Sequence, residues 1–218
     1  ILQTFALNGI AMFVVRHVAN LGMAEDVAAK YFGLNLAITG FIGALGVGQL
    51  ASRLVSTSSL PVRGLLMFVG ITTLIGVPFL SAALLIPVPW LFFSLCFVAQ
   101  IALFAGTAPL NSVLVARAPT GLEAFTQWIT IFAIQLFGSA LAPVLIGFIA
   151  DLLMASGGIA EGRALAFGLQ LSSIAMVLAA LVWLVAARVE RQGIGATSSS
   201  VRAREGTTDP RFTYDRSE

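Results

Sequence analysis

Between Arg63 and Arg117 the chain runs for 53 residues without a charged side chain. One helix crossing a bilayer needs only about 20 apolar residues, so this run predicts two crossings joined by a turn. Pro87-Val88-Pro89-Trp90 supplies the turn, since proline removes a backbone donor and biases its predecessor away from helix. The expected helices cover about 64–86 and 90–116.

Charges punctuate the rest in the same way. The first apolar run ends at Arg16-His17, with its helix continuing to about Met23, and 22 uncharged residues separate Lys30 from Arg53. A further 27 lie between Glu123 and Asp151, and a last run lies between Arg163 and Arg188. The reading is an all-α integral membrane protein, a transmembrane bundle of six helices over residues 1–187. Charged residues make up 10% of the chain, against about a quarter in soluble domains, which excludes an ordinary soluble fold.

Residues 188–218 are rich in Ser, Thr and Arg and are predicted to form a disordered cytoplasmic tail. Arg202, Arg204, Arg211 and Arg216 can touch anionic lipid heads there. Lysine and arginine at the helix ends set the orientation. Arg53, Arg63, Arg117, Arg188 and Arg191 fall on one side and Arg16, Lys30 and Arg163 on the other, which predicts a cytoplasmic C-terminus. The type of membrane is not specified by these residues. The chain opens on ILQTFALNGIAMFVV without an initiator Met or a signal-peptide pattern, and is expected to be a fragment that starts inside a membrane helix.

Several function classes drop out. No HExxH, GxSxG, CxxC or phosphate-binding loop is present, so no catalytic residue, metal ligand or cofactor site is assigned. No basic cluster with interleaved aromatics points to nucleic acid. Cys96 lies in an apolar run and is read as a packed core residue.

The polar residues inside the spans carry the functional reading. Gln100, Phe104, Thr107 and Asn111 follow at helical spacing and are expected to share one face. An amide facing lipid is costly, so Gln100 and Asn111 need partners on the fifth helix or a polar cavity. Gln127, Gln135 and Ser139 on the fifth helix, Asn35 and Thr39 on the second, and Asn8 on the first complete the candidate solute pathway. Hydrogen bonding between helices is the competing role for each of them. Gly138 and Pro143 are expected to weaken the fifth helix. Gly40, Ala44, Gly48 and Ser52 at i, i+4 spacing predict a flat seam on the second. Arg16 and His17 are placed near the outer interface, where a histidine can sense protons. Asp151 and Arg163 are expected at the outer helix ends, in caps or a loop ion pair.

An internal repeat is also legible. GQLASRL (48–54) closes the second helix and GFIADLL (147–153) the fifth, with Gly, Ala and Leu at matching places on opposite membrane sides. Two three-helix units of inverted topology produce that relation, as in many secondary transporters.

The stretch FGLNLAITGFIGALGVGQLASRL (32–54) resembles the eighth helix of the spinster-like branch of the major facilitator superfamily. Its end resembles that superfamily's G-x-L-A-D-R signature, comprising here Gly48, Ser52 and Arg53, with Ser52 where Asp is usual. EAFTQW and QLFGSALAPVLIGFIADLL (123–153) are similar to the eleventh helix, and EGRALAFGL (161–169) to the entrance of the twelfth. The resemblance implies the C-terminal six-helix half of a twelve-helix secondary transporter, whose partner is an N-terminal six-helix bundle. The fragment's first, second, fourth and fifth helices would line its cavity. It further implies alternating access for a small or lipid-like solute of lysolipid or sphingolipid type, with membrane lipids as surroundings. Gln135 and Ser139 stand where a His and an Asp are expected, and Gly121-Leu122 replaces an arginine pair, so any proton step uses other residues. A non-transporting scaffold or sensor is the alternative.

Overall fold

The computed structural model describes residues 1–49, 51, 53, 61–157 and 159–205. Among these, six helices are long and apolar enough to cross a membrane: α1 (Leu2–Asn20), α2 (Glu25–Val47), α3 (Val62–Leu85), α4 (Pro89–Val115), α5 (Glu123–Ser156) and α6 (Glu161–Glu190). The charge-free runs therefore predict the spans well. Helix α3 ends at Leu85 and α4 starts with Pro89 at its first position, after an extended Val88, as the Pro-Val-Pro turn requires. The last helix continues to Glu205, through the stretch where composition predicts a disordered tail, and residues 206–218 lie outside the described ones.

Three helices are irregular, each for a local reason. Helix α4 opens at Ala105–Gly106 and resumes at Thr107. Pro109 causes this: it has no N–H for the Ala105 carbonyl, and its ring crowds that carbonyl. Helix α5 widens into a π turn at Gln135–Ser139, just ahead of Pro143, where weakening is predicted. Helix α2 carries a longer π segment, Phe41–Val47, in its glycine-rich half.

That second π segment changes the predicted seam. One extra residue per turn shifts the buried face, so Thr39, Gly43 and Gly48 point at α4 in place of a regular Gly40, Ala44, Gly48 row. A Cβ on Gly43 would lie 2.6 Å from Phe104 Cβ and 2.9 Å from the Ile101 carbonyl oxygen. Gly48 meets the Ala105 carbonyl oxygen at 3.0 Å by the same construction. Ser52, the last residue of the expected seam, lies outside the described residues.

The packing supports the inverted repeat. Helix α1 packs on α5 and α6, α4 packs on α2 and α3, and α3 and α6 pack on each other. Exchanging the first three helices with the last three maps these pairs onto one another. The π turns fall on the exchanged pair α2 and α5, with glycines Gly43 on α4 and Gly138 on α1. The turns entering those two helices contain Gly22 (φ 96°) and Gly121 (φ 84°), the only positive-φ positions among the described residues. Left-handed backbone at both reversals suits glycine.

The core is aliphatic and aromatic, centred on Val14, Leu80, Phe92, Ile146 and Met176. Helix α5 is the least buried: 17% of its most apolar 18 residues are buried, against 50% for those of α4. Its buried stripe, Gly138, Ala142, Ile146 and Ala150, is one residue wide.

Candidate functional site

A cavity of about 530 Å³ lies between the start of α1, the end of α4 and the first third of α5, with Trp183 of α6 closing one side. All of these ends lie toward the Arg117 side of the bundle. Its walls are mainly Leu7, Leu103, Phe104, Leu110, Leu114 and Ile134. Polar groups come from Gln3 and Thr4 of α1, Thr107 and Asn111 of α4, and Thr130 of α5. No charged side chain contributes to its lining. An apolar volume with a few hydrogen-bonding groups suits the hydrocarbon and linker of an amphiphile.

The predicted pathway residues separate into distinct groups. Thr107 and Asn111 line the cavity, and Gln127 is half-buried one turn outward from Thr130 on the same face of α5. Gln100 does not share their face, because the break at Ala105–Gly106 offsets the two parts of α4. It is buried and accepts a 2.8 Å hydrogen bond from Thr39 Oγ1, while its Nε2 lies 3.3 Å from Cys96 Sγ. Gln100 and Thr39 thus join α4 to α2, where an amide pairing with α5 is the sequence expectation. Asn35 also bridges the two helices, donating Nδ2 to the Phe93 carbonyl at 3.0 Å.

The first and fifth helices have a link of their own. Asn8 Nδ2 donates to Ser139 Oγ at 3.0 Å, and the Ser139 hydroxyl donates to Gln135 Oε1. Three predicted residues are therefore assembled at the π turn of α5, next to Gly138. Under the repeat relation this α1–α5 link corresponds to the Thr39–Gln100 link between α2 and α4. Of the signature residues, Gly48 is buried against α4 and Arg53 is helical.

Gln3, Thr4, Thr130 and Trp183 are absent from the sequence-based set. Gln3 donates to Thr73 Oγ1 of α3 at 2.7 Å, placing an amide beside the cavity. Its position in the first turn hid it, because one residue gives no periodic signal. Gln170 donates to the Ser81 carbonyl at 3.1 Å and so serves the contact between α6 and α3.

Ion pairs tie the ends of the bundle. Arg16 of α1 meets Glu161 of α6 at 2.6 Å, in place of an outer pair involving Asp151 or Arg163. Arg117, just past α4, pairs with Glu190 at the end of the α6 span, at the cavity's end of the bundle. Both pairs are partly exposed, so each is worth little alone. His17, near the end of α1, is buried within the bundle: it is 2% exposed, its ring stands 5.5 Å from that of Phe92, and neither ring nitrogen has a partner. Among the described residues no group of His, Cys, Asp and Glu can hold a metal ion.

The arrangement is similar to part of a solved membrane transporter. A bacterial homologue of the human lysosomal transporter Spinster, in its inward-facing and unoccupied conformation, has a similar structure, with a TM-score of 0.68 and 22% identity. That likeness covers 88% of this chain and 46% of the homologue. The homologue's inward-facing, occupied conformation gives a TM-score of 0.65 and 21% identity, over 88% of this chain and 47% of that one. No protein-family model matches the chain, and no curated protein matches it in sequence. The chain thus shares its fold with about half of that homologue and spans about half the length of those transporters.

Proposed function

We propose that this chain is the C-terminal six-helix half of a secondary active transporter and moves a lipid-like solute by alternating access. The observation that carries the reading is the 530 Å³ cavity, apolar with a limited polar set, on a fold shared with a transporter named for Spinster. The second half of the protein faces α1, α2, α4 and α5, and the C-terminus is cytoplasmic. Lysolipids and sphingolipids are the solute classes that such a cavity and the spinster-like resemblance favour. Thr107 and Asn111, with Thr4 and Thr130, hydrogen-bond the solute near its linker. Thr39–Gln100 and Asn8–Ser139–Gln135 hold helices together, and Gly48 keeps α2 close to α4.

Two variants of the full-length protein in proteoliposomes test the assignment. Asn111→Leu is expected to weaken half-saturation for a fluorescent lysolipid about fivefold, the effect of one lost hydrogen bond. Gln100→Leu is expected to leave half-saturation unchanged and to cost about 0.6 kcal/mol of stability, because the Thr39 hydroxyl retains the Asn35 carbonyl at 2.7 Å. The reverse pattern would place the solute at Gln100. Flux equal to that of protein-free vesicles in the unmodified protein would favour a scaffold.

A further inference from the structure

A smaller cleft of about 300 Å³ lies at the opposite end of the bundle, between the first halves of α2 and α4. Tyr31, Asn35 and Ile38 of α2 face Trp90, Phe93 and Phe97 of α4 across it. Tyr31 and Trp90 meet edge to face with ring centroids 4.9 Å apart. Asn35 lines the floor and is 9% exposed. Its Nδ2 is committed to the Phe93 carbonyl, whereas its Oδ1 is buried and has no hydrogen-bond partner.

A buried amide oxygen without a donor carries a desolvation cost of about 1–3 kcal/mol, which a ligand donor would remove. The cleft's place in the repeat identifies what it matches. The larger cavity is built from the start of α1 and the first third of α5, together with the end of α4. Exchanging the halves carries the starts of α1 and α5 onto the starts of α4 and α2, the two walls of the cleft. The two sites are pseudo-symmetric and lie toward opposite ends of the bundle.

We propose that the cleft is a second solute site, on the outer limb of the pathway, that binds a hydroxyl-bearing single-chain amphiphile. Its hydroxyl donates to Asn35 Oδ1, and its chain lies on Ile38, Phe93 and Phe97. A hydroxyl fits better than an ammonium group, because no acidic residue lines the cleft. The nearest acid on α2, Asp26, is paired with Lys30 at 3.4 Å. This inference rests on reading the larger cavity as a solute site, and separate reporters keep the two claims apart.

Trp90 reports on the cleft and Trp183 on the cavity. The full-length protein is placed in nanodiscs with only one of them retained and all other tryptophans changed to phenylalanine. The probes are a dibrominated monoacylglycerol and the matching brominated methyl ester, which has no hydroxyl. Saturable quenching of Trp90 by the monoacylglycerol is expected, with half-saturation about fivefold higher for the ester and for Asn35→Leu. The ester arm leaves the protein intact, so it stands even if Asn35→Leu loosens α2. Linear quenching of Trp90 that is equal for both probes would overturn the cleft as a site and indicate bilayer contact. Quenching of Trp183 alone overturns the cleft and spares the cavity, whereas quenching of Trp90 alone contradicts the cavity reading on which the proposal rests.

Discussion

Gly43→Leu is expected to lower the thermal midpoint of the detergent-solubilised protein more than any other single substitution discussed. The first side-chain atom would fall 2.6 Å from Phe104 Cβ and 2.9 Å from the Ile101 carbonyl oxygen. Phe104 can rotate only beyond its Cβ, and the carbonyl is part of a helix, so neither neighbour yields without moving α2 from α4. Overpacking of this kind costs about 1–3 kcal/mol, and separation of the helices would also strain the Thr39–Gln100 bond. Gly46 is the control on the same π segment: a Cβ there meets nothing within 4 Å. Gly46→Ala is expected to leave the midpoint unchanged or to raise it slightly. Equal loss in both variants would mean that backbone freedom, not contact with α4, explains these glycines.

Ala133→Trp is expected to abolish saturable flux while the protein stays folded. Ala133 lines the 530 Å³ cavity beside Thr130 and Ile134, so an indole at that position projects into the volume a solute would occupy. The cavity is partly open, so the ring is accommodated without displacing a packed core residue. A loss of at least about tenfold in solute affinity follows, equivalent to about 1.4 kcal/mol. Val144→Trp, at an α5 residue that is 64% exposed and outside the cavity lining, is expected to transport normally. Reconstituted flux and thermal midpoint, measured together, separate blockage from unfolding. Normal flux in Ala133→Trp would remove the cavity from the pathway.

The six spans were legible because charge is excluded from the bilayer core, so the positions of charged residues delimit the helices without help from packing. The turn at Pro87–Pro89 was legible for the same local reason. The inverted repeat was visible only in GQLASRL and GFIADLL, and its stronger signs are in packing: glycines on the π turns and left-handed glycines at both helix reversals. The register of α2 was not legible. Gly40, Ala44 and Gly48 fit a regular helix, and the π segment that sets Gly43 and Gly48 against α4 is favoured by contact with Ile101, Phe104 and Ala105.

The candidate site was legible by residue type and less so by grouping. Gln100 and Asn111 follow one helical period, but Pro109 opens α4 between them and sends the two amides to different neighbours. A Gly-x-x-Pro reading of Gly106 to Pro109 would have signalled that break. The burial of His17 against Phe92 was not legible, because counting along α1 gives its place along the helix and not its tertiary neighbours. The link from Asn8 through Ser139 to Gln135 joins residues far apart in the chain, and no spacing rule connects them.

The central claim is that two pseudo-symmetric openings serve one pathway alternately. Leu114→Cys in the cavity and Leu34→Cys in the cleft place a thiol in each. The native Cys96 is fully buried and stays silent. Labelling by a membrane-impermeant maleimide, applied from each face with and without a transported lysolipid, reports both openings. The account predicts that the two positions label from opposite faces and that solute changes their rates in opposite directions. Rates that rise and fall together, or that solute leaves unchanged at both positions, would contradict it.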